Sequence, residues 1–76
     1  MFLPKHHQIE NEYYVTTKDI IKVLSPVTGR NVSRQWVNQM AQVDGWRRYQ
    51  FNKRVVYWLR DDVVKSIRKR YNYRVG

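Results

Sequence analysis

The sequence contains no cysteine and only three glycines and two prolines among 76 residues. Without cysteine, the chain can use neither a disulfide nor a thiolate metal site to support a small core. Its only histidines, His6 and His7, are adjacent and lack a third ligand, which makes a poor metal site. We therefore expect no metal and no cofactor, and a fold that rests on apolar packing alone.

Long apolar runs are also missing. No stretch approaches the roughly 18 residues of a membrane span, and the opening MFLPKHHQ does not resemble a signal peptide. A helix lying on a membrane would need a long apolar face, and none is found outside the expected core. With the lack of cysteine, this predicts a cytoplasmic protein that does not bind membranes.

The residue sets that enzymes use are absent as well. The sequence has no recognisable Ser/His/Asp or Cys/His set, no glycine-rich phosphate loop and no pair of spaced carboxylates. Asp19 and Asp61 are better explained as residues that begin helices. We therefore expect a protein that is not an enzyme.

Acidic residues are scarce, with six Asp and Glu against fifteen Lys and Arg, for a net charge of +9. Residues 1–33 carry four basic and three acidic groups, whereas residues 34–76 carry eleven and three. Such a field attracts polyanions, and nucleic acid is the commonest one in the cytoplasm. A basic surface kept only for solubility is the plainer alternative.

The pattern of the chain predicts one domain over residues 13–71. Residues 1–12 lack periodicity and contain Pro4, so we expect a flexible N-terminal arm, and residues 72–76 should form a frayed tail. The expected fold class is α+β, with about three short helices and a two- to three-stranded antiparallel sheet.

Within this domain a short strand at Tyr13–Val15 is followed by a first helix over residues 17–25. Thr16 is its predicted N-cap, and Pro26 should end it, because the residue before proline resists helical geometry. A turn with Gly29 then leads to a second helix capped by Ser33.

Gly45 is a candidate C-cap for the second helix, and two β-prone runs follow it. These runs predict a hairpin around Asn52-Lys53 with a turn of two or four residues; the shorter turn would place Tyr49 opposite Val56 and Arg47 opposite Trp58. Asp61 should cap the third helix.

The second helix has an apolar stripe of Val37, Met40 and Ala41 and an opposite polar face. A tight turn before such a helix is the geometry that presents it to the major groove of DNA. The residues expected to contact base edges are Arg34, Gln35, Asn38 and Gln39, and Ser33 should contact a phosphate. The hairpin residues expected to contact the DNA backbone or the minor groove are Arg47, Arg48, Lys53 and Arg54.

The hairpin is rich in aromatic residues, which supports a second hypothesis. A basic face with exposed rings can stack the bases of single-stranded DNA or RNA, and the possible stacking residues are Trp46, Tyr49 and Trp58. Alternatively, most of these rings form the core. A third hypothesis is an adaptor whose basic face docks an acidic protein.

From about Tyr14 to Ile67 the chain resembles the excisionase and MerR-type winged helix-turn-helix family of phages and other mobile elements. The matching stretches are YVTTKDIIKVL, NVSRQWVNQMA and GWRRYQFNKRVVYWLRDDVVKSI. The inter-helix turn SPVTGRN is longer than usual in this family, and the hairpin is more aromatic.

The resemblance implies a small winged helix-turn-helix protein that binds duplex DNA in excision or recombination, replication or transcription control. It gives a recognition role to Arg34, Gln35 and Asn38, and a wing role to residues around Asn52 to Arg54. An excision factor of this kind would bend DNA, and it would act as a homo-oligomer or with a recombinase or replication protein. Additional phosphate contacts would come from Lys65, Arg68, Lys69 and Arg70.

Overall fold

The computed structural model of the chain describes residues 2–5, 7–50 and 52–72. Within these residues it contains the strands β1 (His7–Ile9), β2 (Glu12–Thr16), β3 (Arg48–Gln50) and β4 (Val56–Leu59), and the helices α1 (Thr17–Thr28), α2 (Arg34–Asp44) and α3 (Arg60–Tyr71). The predicted α+β class with three helices is confirmed. The antiparallel sheet has four strands, however, where two to three were expected. None of the described helices has the length and apolar character needed to cross a membrane.

The strands lie in the order β1-β2-β4-β3, so β4 is paired on both sides. The two-residue register predicted for the hairpin is wrong, because Tyr49 pairs with Tyr57 and Arg48 pairs with Trp58. The segment 51–55 separates the paired strands, which is also longer than the four-residue alternative. Asn52 organises this loop, since its Oδ1 accepts the backbone N–H groups of Arg54 and Val55 at 2.8 and 2.9 Å.

The N-terminal segment, which the sequence predicts as an arm, packs on the domain. β1 pairs with β2 through a turn at Glu10 and Asn11, both with positive φ. Leu3 is 2% exposed and belongs to the core. Its carbonyl oxygen accepts hydrogen bonds from the buried guanidinium of Arg60 at 3.2 and 3.3 Å. Because the contacts of Leu3 are long-range, the local pattern of residues 1–12 does not show that this segment packs on the core.

Parts of three predictions lie outside the described residues. Met1 and His6 belong to the predicted arm, and residues 73–76 belong to the predicted frayed tail. Phe51 of the predicted hairpin lies outside them too.

The predicted N-cap of α1 is confirmed, but its predicted end is wrong. Thr16 and Asp19 form a reciprocal capping box, with both hydrogen bonds at 3.1 Å. The helix continues past Pro26 to Thr28 and ends at Gly29, whose N–H donates to Ser25 O at 3.0 Å. Because Pro26 lies in the last turn, the helix loses one backbone hydrogen bond there and does not break.

The predicted caps of α2 are confirmed, whereas the predicted cap of α3 is wrong. Ser33 Oγ accepts the N–H of Trp36 at 3.1 Å, and Gly45 closes α2 in the left-handed conformation. α3 begins directly after β4, with Leu59 at the N-cap and no side-chain cap hydrogen bond. Asp61 therefore lies inside the first turn, where a carboxylate still favours the positive end of the helix dipole.

The core lies between the sheet and the three helices, and two tryptophans complete it. Trp46 and Trp58 are each 6% exposed and pack edge to face, with ring centroids 5.9 Å apart. The indole N–H of Trp46 donates to Ser66 Oγ at 2.6 Å, and that of Trp58 donates to Thr17 Oγ1 at 3.0 Å. Both rings are therefore buried with their polar atoms satisfied.

The burial of Leu3 leads to a stability prediction. Leu3→Ala should lower the free energy of unfolding by about 2–5 kcal/mol, the usual cost of removing a buried leucine side chain. Its neighbour Phe2 is 68% exposed, so Phe2→Ala should cost less than about 0.5 kcal/mol and serves as the control. Urea unfolding of both variants measures the difference. Equal stability of the two variants would mean that residues 2–5 do not pack on the domain.

Candidate nucleic-acid interface

An open cleft of about 360 Å³ lies between the first turns of α2 and the β3–β4 hairpin. Arg34 and Asn38 line it from α2, Arg54 lines it from the hairpin loop, and Lys18 lines it from the first turn of α1. None of the described residues that line this cleft is acidic. The fold thus brings three cations and an amide from three separate elements to one place, which is suited to an anionic ligand.

The cleft continues along α2 into a second depression lined by Asn38, Gln42 and Arg48. Arg34, Asn38 and Gln42 follow one another at four-residue spacing, so they form one row on the side of α2 that faces the hairpin. Because Val37, Met40 and Ala41 are buried, they fix the rotation of α2 and keep this row exposed. We call this row, with Lys18, Arg48 and Arg54, the interface surface.

The other predicted residues of α2 are exposed but lie elsewhere. Gln39 lines a shallow hollow with Trp36, Val43 and Arg70, on the other flank of the helix. Gln35 lies on the outer face of α2, away from the core. Ser33 is exposed and uses its oxygen to cap α2, so its hydroxyl hydrogen remains available to a phosphate.

Arg47 and Lys53, the two remaining predicted hairpin residues, are both exposed. Arg47 is tied to α3, because Asp62 Oδ2 accepts its backbone N–H at 2.9 Å and lies 3.6 Å from its guanidinium Nε. Lys53 lies in the loop that Asn52 organises. The contact with Asp62 holds the base of the hairpin against α3, so the position of the loop is constrained.

The predicted phosphate-contact residues of α3 are exposed and form a separate group. Lys65 and Lys69 line a hollow together with Asp44 and Asp62, near the C-terminal end of α2. Arg68 is exposed on the same helix. Since Arg34 and Asn38 line the cleft at the N-terminal half of α2, the structure does not place these α3 cations in the cleft.

Trp46 and Trp58, two of the three possible stacking residues, are buried in the core, and their ring N–H groups are hydrogen-bonded. The small exposed part of each ring lines the second depression with Arg48, so a base could meet only that part. Tyr49 is the exception among the three predicted stacking residues, at 39% exposed and with its ring 6.0 Å from that of Tyr14.

Sequence reasoning missed Lys18 as part of the interface surface. It is the second residue of α1, and its place beside Arg34 and Arg54 results from tertiary packing of α1 against α2 and the sheet. The local sequence around Lys18 gives no sign of this. Gln42 was also missed, although the sequence could have indicated it, because it follows Asn38 at four-residue spacing on the polar face of α2.

A bidentate ion pair holds the C-terminal end of α2 against α3. Arg70 Nη2 and Nε donate to the two carboxylate oxygens of Asp44 at 2.8 and 3.0 Å. The hydrogen bonds from Arg70 hold the pKa of the Asp44 carboxyl below its usual range. This pair therefore helps to fix the direction in which α2 points.

Within the described ranges, no group of three or more His, Asp or Glu side chains is placed to hold a metal ion. Comparison of the chain with protein-family models, with characterised proteins and with solved structures gives no match.

The ion pair leads to a pH-dependent prediction. A double-mutant cycle of Asp44→Asn and Arg70→Met should show a favourable coupling free energy at pH 7 of up to about 1 kcal/mol, since the pair is partly exposed. Because the pKa of Asp44 is lowered by folding, the coupling is present above the ordinary pKa of an aspartate and is lost as pH falls through the lowered value. Denaturant unfolding across this pH range measures it; a coupling that persists in strong acid would contradict the pairing.

Proposed function

We propose that the chain is a non-enzymatic DNA-binding protein of winged helix-turn-helix type that binds duplex DNA with α2 and the β3–β4 hairpin. The observation that carries the proposal is the cleft in which Arg34 and Asn38 of α2 lie beside Arg54 of the hairpin and Lys18 of α1. A helix row with hydrogen-bonding side chains, flanked by cations from a neighbouring hairpin, fits a duplex in which one groove holds the helix.

The arrangement of helices supports this type of fold. Because α1 extends to Thr28, only residues 29–33 connect it to α2, fewer than in the predicted turn SPVTGRN. The left-handed Gly29 and the N-cap Ser33 form the two ends of this connection. A short, defined turn between two helices, followed by a hairpin and a third helix, is the order expected for the family that the sequence resembles.

In this proposal the residues divide into two roles. Arg34 and Asn38 reach base edges, where arginine pairs well with guanine and asparagine with adenine. Arg48, Lys53 and Arg54 of the hairpin, together with Lys18, contact phosphates, which adds affinity for any sequence. Lys65, Arg68 and Lys69 can add phosphate contacts only where the DNA bends toward α3, because they lie apart from the cleft.

The proposed setting is the cytoplasm, in excision or recombination, replication or transcription control of a mobile element. The support for it is the resemblance of residues 14–67 to excisionase and MerR-type proteins, together with the small size and the net charge of +9. An excision factor would bind adjacent sites, bend DNA, and act with other copies of itself or with a recombinase or replication protein.

Binding of single strands is the principal rival, and the buried state of Trp46 and Trp58 weighs against it. We expect the protein to bind random duplex DNA more tightly than random single strands of equal length, with affinity falling steeply as salt rises. Fluorescence anisotropy at two salt concentrations measures both. Tighter single-strand binding that Tyr49→Ala abolishes would favour the rival hypothesis, and no binding to either would favour an acidic protein partner.

The division of roles leads to a mutational prediction. On a selected target site, Arg34→Ala or Asn38→Ala should cost about 1–3 kcal/mol in binding and relax the sequence preference, because a base contact is lost. Arg48→Ala or Lys53→Ala should weaken selected and random duplexes alike, because a phosphate contact is lost.

Lys22→Ala is the matched control, since it removes one positive charge from an exposed α1 position that does not line the cleft. It should change binding less than any of the four variants. Equal loss on selected and random DNA from all four would contradict the proposed roles, and equal loss from Lys22→Ala would indicate that only total charge matters.

A further inference from the structure

A cavity of about 470 Å³ lies on the flank of α2 opposite the cleft. Trp36 lines it from α2, and Tyr71, the last residue of α3, also lines it. Trp36 is two residues beyond Arg34, so the two side chains leave the helix roughly 200° apart. A ligand in this cavity and a duplex in the cleft would therefore use different sides of α2.

The cavity has two aromatic walls, and both are firmly placed. Trp36 and Tyr71 are half-buried and pack against the core, so part of each residue is still accessible. The N–H of the α3 cap, Asn72, donates to Arg68 O at 2.9 Å and fixes the helix end at Tyr71. A flat aromatic ligand could thus use these rings with little rearrangement.

The remaining described wall combines the apolar residues Val27 and Val32 with polar and basic ones. Arg30, Asn31 and Ser33 line it from the connection between α1 and α2. None of the described lining residues is acidic, and Arg30 is exposed. The connection is braced, because Thr28 Oγ1 donates to Arg30 O at 3.3 Å and Ser25 Oγ accepts the N–H of Val32 at 3.4 Å. The cation is therefore attached to an ordered segment.

We propose that this cavity is a nucleotide site, in which a base packs against Trp36 and Tyr71 and a phosphate meets Arg30. The volume is in the range of about 300–1,000 Å³ that small-ligand sites have. Aromatic rings beside a guanidinium suit a ligand that joins a planar ring to a negatively charged group, as a nucleotide joins a base to a phosphate. The Asn31 amide supplies both a donor and an acceptor for a base edge.

The nucleotide can be free, or it can be an unpaired residue of a DNA strand. In both cases the recognised chemistry is the same, a base with an attached phosphate. The site does not depend on the proposed duplex contact, because Arg34 and Asn38 line the other flank of α2. Failure of one proposal therefore leaves the other standing.

The three tryptophans provide the readout. In a ¹⁵N–¹H correlation spectrum each indole N–H gives one signal, and Trp36→Phe identifies that of Trp36. The indole N–H groups of Trp46 and Trp58 are buried and bonded to Ser66 and Thr17, so they serve as internal controls. The probes are the deoxynucleoside 5′-monophosphates, a short oligothymidine, a random duplex and inorganic phosphate.

We expect mononucleotides or the oligothymidine to shift the Trp36 signal to saturation while the other two indole signals stay in place. Tyr71→Leu should weaken this binding at least about fivefold, because an aromatic partner is lost. Arg30→Gln should weaken the binding of mononucleotides and make it less dependent on salt. Lys22→Gln is the matched control, since it removes an exposed cation of α1 that lines neither the cavity nor the cleft, and it should leave the binding unchanged.

The probes distinguish a free nucleotide from a nucleotide within a DNA strand. Saturation by mononucleotides indicates a site for free nucleotides, and saturation by the oligothymidine alone indicates a site for a base within a strand. Three results would overturn the proposal: no shift of the Trp36 signal with either probe at millimolar concentration, the same shift with inorganic phosphate, or equal weakening by Lys22→Gln and Arg30→Gln. The spectrum of each variant also reports its fold, so an unfolded Tyr71→Leu would leave Arg30→Gln as the test.

Discussion

The rest of the structure depends on the placement of Trp58 at the centre of the sheet. Its backbone pairs with Val15 on one side and Arg48 on the other, and its ring packs against Trp46. Its indole N–H reaches across to Thr17 at the start of α1. One buried residue therefore joins the hairpin, the second strand and the first helix. The cleft is lined by the first helix, the hairpin and α2, so this ring holds together two of the three elements that form it.

The use of aromatic residues in the core determines which chemistry is left for the surface. Aliphatic side chains make up most of the described core, and the two large indole rings add the buried area that a thin core needs. With Trp46 and Trp58 buried, the interface surface is left with arginine, lysine and amide side chains. Such a surface recognises charge and hydrogen-bonding groups rather than stacked bases. This favours a duplex, whose bases are already stacked, over a single strand at that surface.

The fold could be predicted where neighbouring residues decide it. The caps Thr16, Ser33 and Gly45 act on residues within one turn, so their sequence signals were sufficient. The packing of the N-terminal segment could not be predicted, because Leu3 is ordered by contacts with the distant core and with Arg60. The hairpin register depends on the tertiary position of β4 between two strands, and turn chemistry alone did not decide it. The end of α1 could not be predicted from Pro26 alone, because the helix continues past this proline to the C-cap Gly29.

The candidate site follows the same division. Helical spacing placed Arg34 and Asn38 on the polar face of α2, but the spacing cannot show which flank of that face lies beside the hairpin. The packing of Val37 against the core decides it, because this fixes the rotation of α2 and turns Trp36 away from the cleft. The pair of Asp44 with Arg70 then fixes the far end of the helix. A helix fixed in both rotation and direction loses little freedom on binding, so the two flanks can act as separate, preorganised surfaces.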